Sequence, residues 1–217
     1  MKIIPGIFEQ SKEEIVRKIG LVAPFVKTIQ IDVADQTFVP ARTPTDFSFL
    51  LKVVGSVVFE AHLMVDKPEQ YVRNLIQSGF RRVIGHIECK DPREFLEEAR
   101  CFECEVGLAL DAETAVEEVE PYLEEIDVLL VLAAQAGASG QPFEEEVLGK
   151  IKAVHRNFPN LPIEIDCGIN DKTIKLAAEA GATRFVTTSY IFKDEAKISE
   201  AIERLKKASE TTHLLIG

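Results

Sequence analysis

The stretch TIQIDVAD at 28–35 decides how the rest of the chain is read. Apolar Ile and Val alternate there with other residues, the period of a β-strand. Gln30, Asp32 and Ala34 fall on one face, and Ile29, Ile31 and Val33 on the other. Two distant runs repeat the pattern. VVFEAHLMV at 57–65 groups Glu60, His62 and Met64 opposite Phe59, Ala61 and Leu63, and LPIEIDCGI at 161–169 groups Glu164, Asp166 and Gly168 opposite Ile163 and Ile165. One face of each strand is therefore apolar, suited to packing under helices, while the other carries ionisable groups. Buried carboxylates are costly unless paired, hydrogen-bonded or metal-bound. Asp32, His62 and Asp166 accordingly mark a candidate site.

Outward from these runs, strand-like and helix-like segments alternate along the whole chain. The expected strands are 2–8, 28–34, 57–64, 82–88, 104–111, 127–134, 162–168 and 183–189. Between them lie amphipathic stretches such as SKEEIVRKIG, KPEQYVRNLIQSG, DPREFLEEARCF, ETAVEEVEPYLEEI, EEEVLGKIKAVHRNF and DKTIKLAAEAG, whose starts carry Ser, Asp or Pro. The weakest helix is 41–56, where FSFLLKVV is short and Pro44 interrupts the approach. Alternating strands and helices imply βαβ units and a parallel sheet. Eight units of roughly 25–30 residues suggest a single (β/α)8 TIM barrel over 1–217, with a doubly wound sheet as the alternative. In a barrel the carboxyl ends of the strands share one rim, which brings the two aspartates and the histidine together.

Bulk properties narrow the partners. The 217 residues suffice for one domain with a large core, and no linker or low-complexity tract divides them. A net charge of −11 argues against nucleic acid and anionic membranes as partners. It leaves room for a small phosphorylated ligand, since backbone N–H groups and helix N-termini can bind phosphate. The N-terminus becomes charged too early for a signal peptide, and no apolar run reaches the ~18 residues of a membrane span, so a cytoplasmic protein is expected. Cys101 and Cys104 form a lone CxxC with no second pair to complete a zinc site, and they read as structural or incidental thiols.

Other inward positions have milder readings. Glu60 and Glu164 lie one layer deeper than the site and are candidates for orienting His62 or Asp166. His86 and Glu88 also face inward, and a lone inward histidine is more often a hydrogen-bonded core residue than a ligand. His155 and His213 sit in helical or tail contexts and read as surface residues. The small-residue segments AAQAGASGQPF, DCGIN and RFVTTSYIF follow or end the last three strands, where barrels hold phosphate on N–H groups. Alternatively, Gly137, Gly140 and Gly168 only permit tight turns.

Nearly end to end, the pattern resembles the ribulose-phosphate 3-epimerase family. The resemblance is carried by IQIDVADQTFVP at 29–40, AHLMVDKPEQYV at 61–72, GHIE at 85–88, SGQPF at 139–143, IDCGI at 165–169 and YIF at 190–192. It implies a (β/α)8 barrel that inverts C3 of a ketose phosphate, and an assembly of two or more copies. Asp32 and Asp166 would be the acid/base pair on opposite faces of an enediolate, with a divalent metal (zinc, manganese or magnesium) stabilising the oxyanion. The metal positions implied are Gln30, Asp32, His62 and Asp166. The substrate-binding positions implied are Gly6, Met64, Gly137, Ala138, Ser139, Gly140, Cys167, Gly168, Ile169, Thr188 and Ser189.

The departures cluster around the same pocket. Gln30 stands where the resemblance expects a histidine ligand, and an amide oxygen is a poorer ligand than imidazole for zinc-like ions. Gly6 replaces a serine, Ala34 a methionine and Cys167 a glycine, while Thr188–Ser189 replaces a Gly-Ser phosphate pair. A non-catalytic sugar-phosphate-binding paralogue is therefore the alternative function. A third possibility is hexulose-phosphate synthesis or decarboxylation on a related barrel. Those relatives usually carry Asp-x-Lys-x-x-Asp, and DVAD has no lysine.

Overall fold

The computed structural model of the chain describes residues 1–53, 57–137 and 140–210. Ala138, Ser139 and His213 lie outside the described residues. Eight parallel strands close into a barrel in sequence order: β1 (Lys2–Ile7), β2 (Thr28–Ala34), β3 (Val58–Met64), β4 (Phe80–His86), β5 (Glu105–Leu110), β6 (Val128–Leu132), β7 (Ile163–Asp166) and β8 (Arg184–Thr187). Pairing of β1 with β8 completes the ring and excludes the doubly wound sheet. The helices are α1 (Lys12–Val22), α2 (Glu69–Gln77), α3 (Pro92–Arg100), α4 (Val147–Asn157), α5 (Thr173–Ala180), the short α6 (Ser189–Phe192) and α7 (Ile198–Glu210).

Local chemistry explains the helix starts. Ser11 accepts the backbone N–H of Glu14 at 3.2 Å, and Asp91 accepts that of Glu94 at 3.0 Å, each satisfying an N-terminal donor of its helix. Pro92 then opens α3, where no N–H is required of it.

Two expected helices are not α-helical. FSFLLKVV yields a 3₁₀ turn at Ser48–Lys52, and ETAVEEVEPYLEEI yields two, at Val116–Glu118 and Glu120–Tyr122. Pro121 lies in the second of these, and proline disrupts the i→i−4 ladder of a longer helix. The apolar spacing still serves packing, because Val119 and Leu123 are buried. Strand ends also retreat from their expected limits. β4 stops at His86, which leaves Glu88 on the following turn, and β8 stops at Thr187, which leaves Ser189 to start α6.

The outward faces of the strands form one continuous apolar layer against the helices, with Phe47, Phe80, Phe95 and Phe185 fully buried. Inside the barrel the filling is divided. Ile84, Ala109, Val128, Leu130 and Leu132 make an apolar wall on the β4–β6 side. The rest of the lower interior is ionic. Arg184 donates from Nε to Glu164 at 2.5 Å and from Nη2 to Glu60 at 2.6 Å, and Arg82 donates to Glu60 and Glu105. Glu60 and Glu164 therefore do not orient His62 or Asp166. Register places Arg82 beside Glu60 and Arg184 beside Glu164, so these acids are held in a layer beneath the site.

Candidate functional site

Strand register builds the site floor. Asp32 pairs with His62 across β2 and β3, and one inward step deeper Gln30 pairs with Glu60. Asp166 reaches the same point from the end of β7. Ligand atoms of Asp32, His62 and Asp166 all lie within 4.8 Å of one another, which makes the trio a candidate metal centre. His62 Nδ1 is 3.2 Å from Asp32 Oδ1. Gln30, fully buried, lies between the carboxylates and donates from Nε2 to Asp32 Oδ1 at 2.8 Å and to Asp166 Oδ2 at 3.0 Å.

This amide is the main departure from a ligand cage, and its orientation follows from its neighbours. Without an ion, two carboxylates favour the NH2 end between them. Gln30 Oε1 is then buried without a partner, and so is Oε1 of Glu60, its register neighbour. Turning the amide over would offer its oxygen to an ion held by the carboxylates. Asp32, His62, Asp166 and Gln30 Oε1 thus form an oxygen-rich set with one imidazole, which suits a hard ion better than zinc.

Electrostatics single out Asp166. Burial raises the pKa of Asp166 to about 6, and the charge of Asp32 adds to that rise, although His62 and an N–H from Cys167 oppose it. For His62, burial works against the charged ring, but the hydrogen bond and charge of Asp32 outweigh it and the net shift is upward. His86 moves the other way, because burial dominates.

Above the floor opens a cleft of about 500 Å³ including its mouth. Asp32, His62, Met64, Gly137, Gly140, Asp166, Cys167, Ile169, Thr188 and Ser189 line it, so most of the expected site residues come together. Phe8, Leu132, Val186 and Thr187 complete the lining and were not singled out by the sequence. Their signal was positional only: each falls at or just beyond the carboxyl end of a strand. No lysine or arginine is among the described lining residues, so an anionic ligand would be held by N–H and hydroxyl groups.

Gly6 and Gly168 do not line the cleft; they shape it from behind. A Cβ on Gly6 would sit 2.6 Å from Thr188 Oγ1 and 3.0 Å from Val186, so the space of a side chain at this position is already filled by a hydroxyl from the end of β8. Gly168 has φ +65°, and a Cβ there would meet the backbone of Phe143 at 2.7 Å. Its neighbour Cys167 adopts φ 75° despite its side chain, a conformation that costs roughly 1–2 kcal/mol. The compensating contact is its backbone N–H, which donates to Asp166 Oδ1 at 2.6 Å. His86 is buried and hydrogen-bonded, as expected of a core histidine, and its partners are His62 and Glu88. His155 is exposed.

Comparison with known proteins bears on this geometry. The model of the ribulose-phosphate 3 epimerase family matches residues 2–192. Ribulose-phosphate 3-epimerase of Schizosaccharomyces pombe is 30% identical, with 97% of this chain and 96% of that protein covered. The cytoplasmic isoform from Oryza sativa subsp. japonica is 33% identical, with 84% and 82% covered. Among solved structures, 3-hexulose-6-phosphate synthase from Salmonella typhimurium superposes with a TM-score of 0.75 at 15% identity, covering 98% of this chain and 100% of that one. Orotidine 5'-phosphate decarboxylase from Pyrococcus horikoshii OT3 gives a TM-score of 0.70 at 14% identity, covering 96% and 99%. At such identities the structures speak for the barrel alone. The family match over most of the length, together with relatives at this identity, establishes that the chain belongs to the ribulose-phosphate 3-epimerase family.

Proposed function

We propose that this protein is a sugar-phosphate 3-epimerase that interconverts D-ribulose 5-phosphate and D-xylulose 5-phosphate, or acts on a closely related ketose phosphate. The observation that carries the reading is the placement of Asp32 and Asp166 on one cleft floor, both bonded to the same Gln30 amide. Inversion at C3 needs one group to remove a proton from one face and another to return a proton to the other. The Asp166 carboxyl, raised to about 6, lies close enough to neutral pH to exchange a proton readily and serves as the acid, while Asp32 takes the proton at C3. In the reverse reaction the roles exchange.

Asp32, His62 and Asp166, with Gln30 turned oxygen-inward, would hold a divalent ion; magnesium or manganese suits this set better than zinc. Bound there, the ion would supply Lewis-acid stabilisation of the charge that develops on the sugar oxygens. The chain's own residues orient the sugar. Met64 and Leu132 offer apolar walls, and the N–H groups of Gly137, Gly140, Ile169, Thr188 and Ser189 take the phosphate. Such a substrate is found in the cytoplasm, where we place the protein. We also infer that the 217 residues act as one domain and that the chain self-associates.

Proton NMR with D-ribulose 5-phosphate in deuterium oxide tests the proposal. Loss of the C3 proton signal with appearance of xylulose 5-phosphate is expected, and Asp32→Asn or Asp166→Asn should slow it by about 10²–10⁴-fold. The alternative, a sugar-phosphate-binding protein without catalysis, draws on the Gln30 amide between the acids. Thermal stabilisation by the sugar phosphate with no exchange under magnesium, manganese or zinc would establish that alternative.

A further inference from the structure

The proton transfers above do not use His86 or Glu88, yet both are tied to the site. His86 Nε2 lies 2.9 Å from His62 Nε2. The ring planes differ by 25° and the centroids are 5.0 Å apart. That separation is close to one hydrogen bond plus two ring radii. The imidazoles therefore meet edge to edge in nearly one plane, as an N–H···N bond requires. At the far side His86 Nδ1 is 3.0 Å from Glu88 Oε2, and Glu88 Oε1 accepts the backbone N–H of Asp111 at 2.9 Å. Phe38 packs on His86 with ring centroids 4.6 Å apart.

These contacts make a row of four groups: Asp32, His62, His86 and Glu88. The row has three gaps, each needing a proton or a cation, and once a bound cation requires a neutral His62 the two imidazoles carry only two protons. One gap must be filled by something else. It lies at the Glu88 end or at the Asp32 end, because the central gap always takes a proton from one ring or the other. At the Glu88 end His86 is fully buried beneath Phe38, and Glu88 already accepts the N–H of Asp111. The Asp32 end opens on the cleft, where Asp166 and the Gln30 amide supply further donors for a cation. With His86 Nδ1–H donated to Glu88, His86 Nε2 accepts, and His62 must donate from its own Nε2. The lone pair of His62 then sits on Nδ1, facing Asp32 Oδ1 at 3.2 Å.

We propose that Glu88 and His86 are positioning residues that lock His62 in the Nε2–H tautomer and so make its Nδ1 a cation ligand. The proposal rests on the metal-assisted form of the function above, and assigns to this pair the binding strength that Gln30 does not supply. Outer hydrogen-bond partners of ligating histidines act in this way, and their loss typically weakens metal binding 10–100-fold.

Titration calorimetry of the full-length protein with manganese alone, without sugar phosphate, tests it. Glu88→Gln should raise the Kd about 10–100-fold, because the new amide can turn its NH2 toward His86 and reverse the tautomers. His86→Phe, which removes the acceptor for His62, should weaken binding at least as much. In the C3-exchange assay, saturating manganese should restore most of the kcat of Glu88→Gln, with the KM for sugar phosphate little changed. Should His86→Phe fail to fold, Glu88→Gln at its partly exposed position decides alone. Equal manganese affinity in folded Glu88→Gln and the parent protein would overturn the proposal. Full exchange activity by a parent protein that binds no manganese would overturn it too, but would leave the epimerase intact. A parent protein that binds manganese without exchange, with weaker binding in Glu88→Gln, would sink the epimerase and support the lock.

Discussion

At the scale of single residues, the site shows how substitutions near one another compensate. Gly6 and Thr188 are one unit: the threonine hydroxyl fills the space that a side chain at position 6 would need. Gly6→Ser alone should therefore overpack the floor and destabilise the protein by about 1–3 kcal/mol in urea unfolding. Adding Thr188→Ala should recover most of that loss, and a double variant no more stable than Gly6→Ser would reject the pairing. Gln30 is a second such position. Gln30→His replaces an amide by an imidazole between the same carboxylates, and should tighten zinc binding by at least tenfold in calorimetry. Unchanged zinc affinity would remove Gln30 as the reason for any weakness of the site.

At the scale of elements, β4 ends in the turn that carries Glu88, and this turn ties the interior to the surface. The Glu88 carboxyl is held down to about 2 from an ordinary 4.5: burial opposes ionisation, but hydrogen bonds from His86, Thr114 and the Asp111 N–H outweigh it. A carboxyl depressed in the folded state stabilises that state above its unfolded pKa, and the contribution fades as pH falls through the folded value. The stability difference between the parent and Glu88→Gln should thus be full near pH 6 and shrink steadily from about pH 4.5 to about pH 2. A difference independent of pH in urea unfolding would contradict this. The segment after β5 carries the opposite lesson. Its apolar spacing predicts a helix, and the buried Val119 and Leu123 keep that packing, but with Pro121 in the segment the backbone settles into separate 3₁₀ turns.

At the scale of the whole molecule, the barrel is closed below the site by charge rather than by hydrocarbon. Arg184 bonds two buried glutamates from β3 and β7, and Arg82 adds a third carboxylate from β5. Removing one partner of a buried ion pair leaves an uncompensated charge, at a cost of about 3–5 kcal/mol. Arg184→Met should destabilise the fold by that amount in urea or thermal unfolding. Adding Glu164→Gln should return part of it, since one orphaned charge is then gone. An effect under about 1 kcal/mol would mean that the layer is hydrated rather than sealed.

The sequence by itself determined the alternation of strands and helices, the inward faces and the three ionisable residues at the centre of the candidate site. A period of two commits every side chain on a strand to one face, so Asp32, His62 and Asp166 had to share the interior once the strands were parallel and closed. The departures at Gln30, Gly6 and Cys167 were visible as residue identities, but not as contacts. That Gln30 spans both carboxylates, that Thr188 fills the place of a missing side chain, and that His86 meets His62 all depend on register between strands far apart in the chain. The same holds for the Arg–Glu layer, which turned Glu60 and Glu164 away from the site. Only the tertiary structure decided these, because a one-dimensional pattern records which way a side chain points and not which partner it finds there.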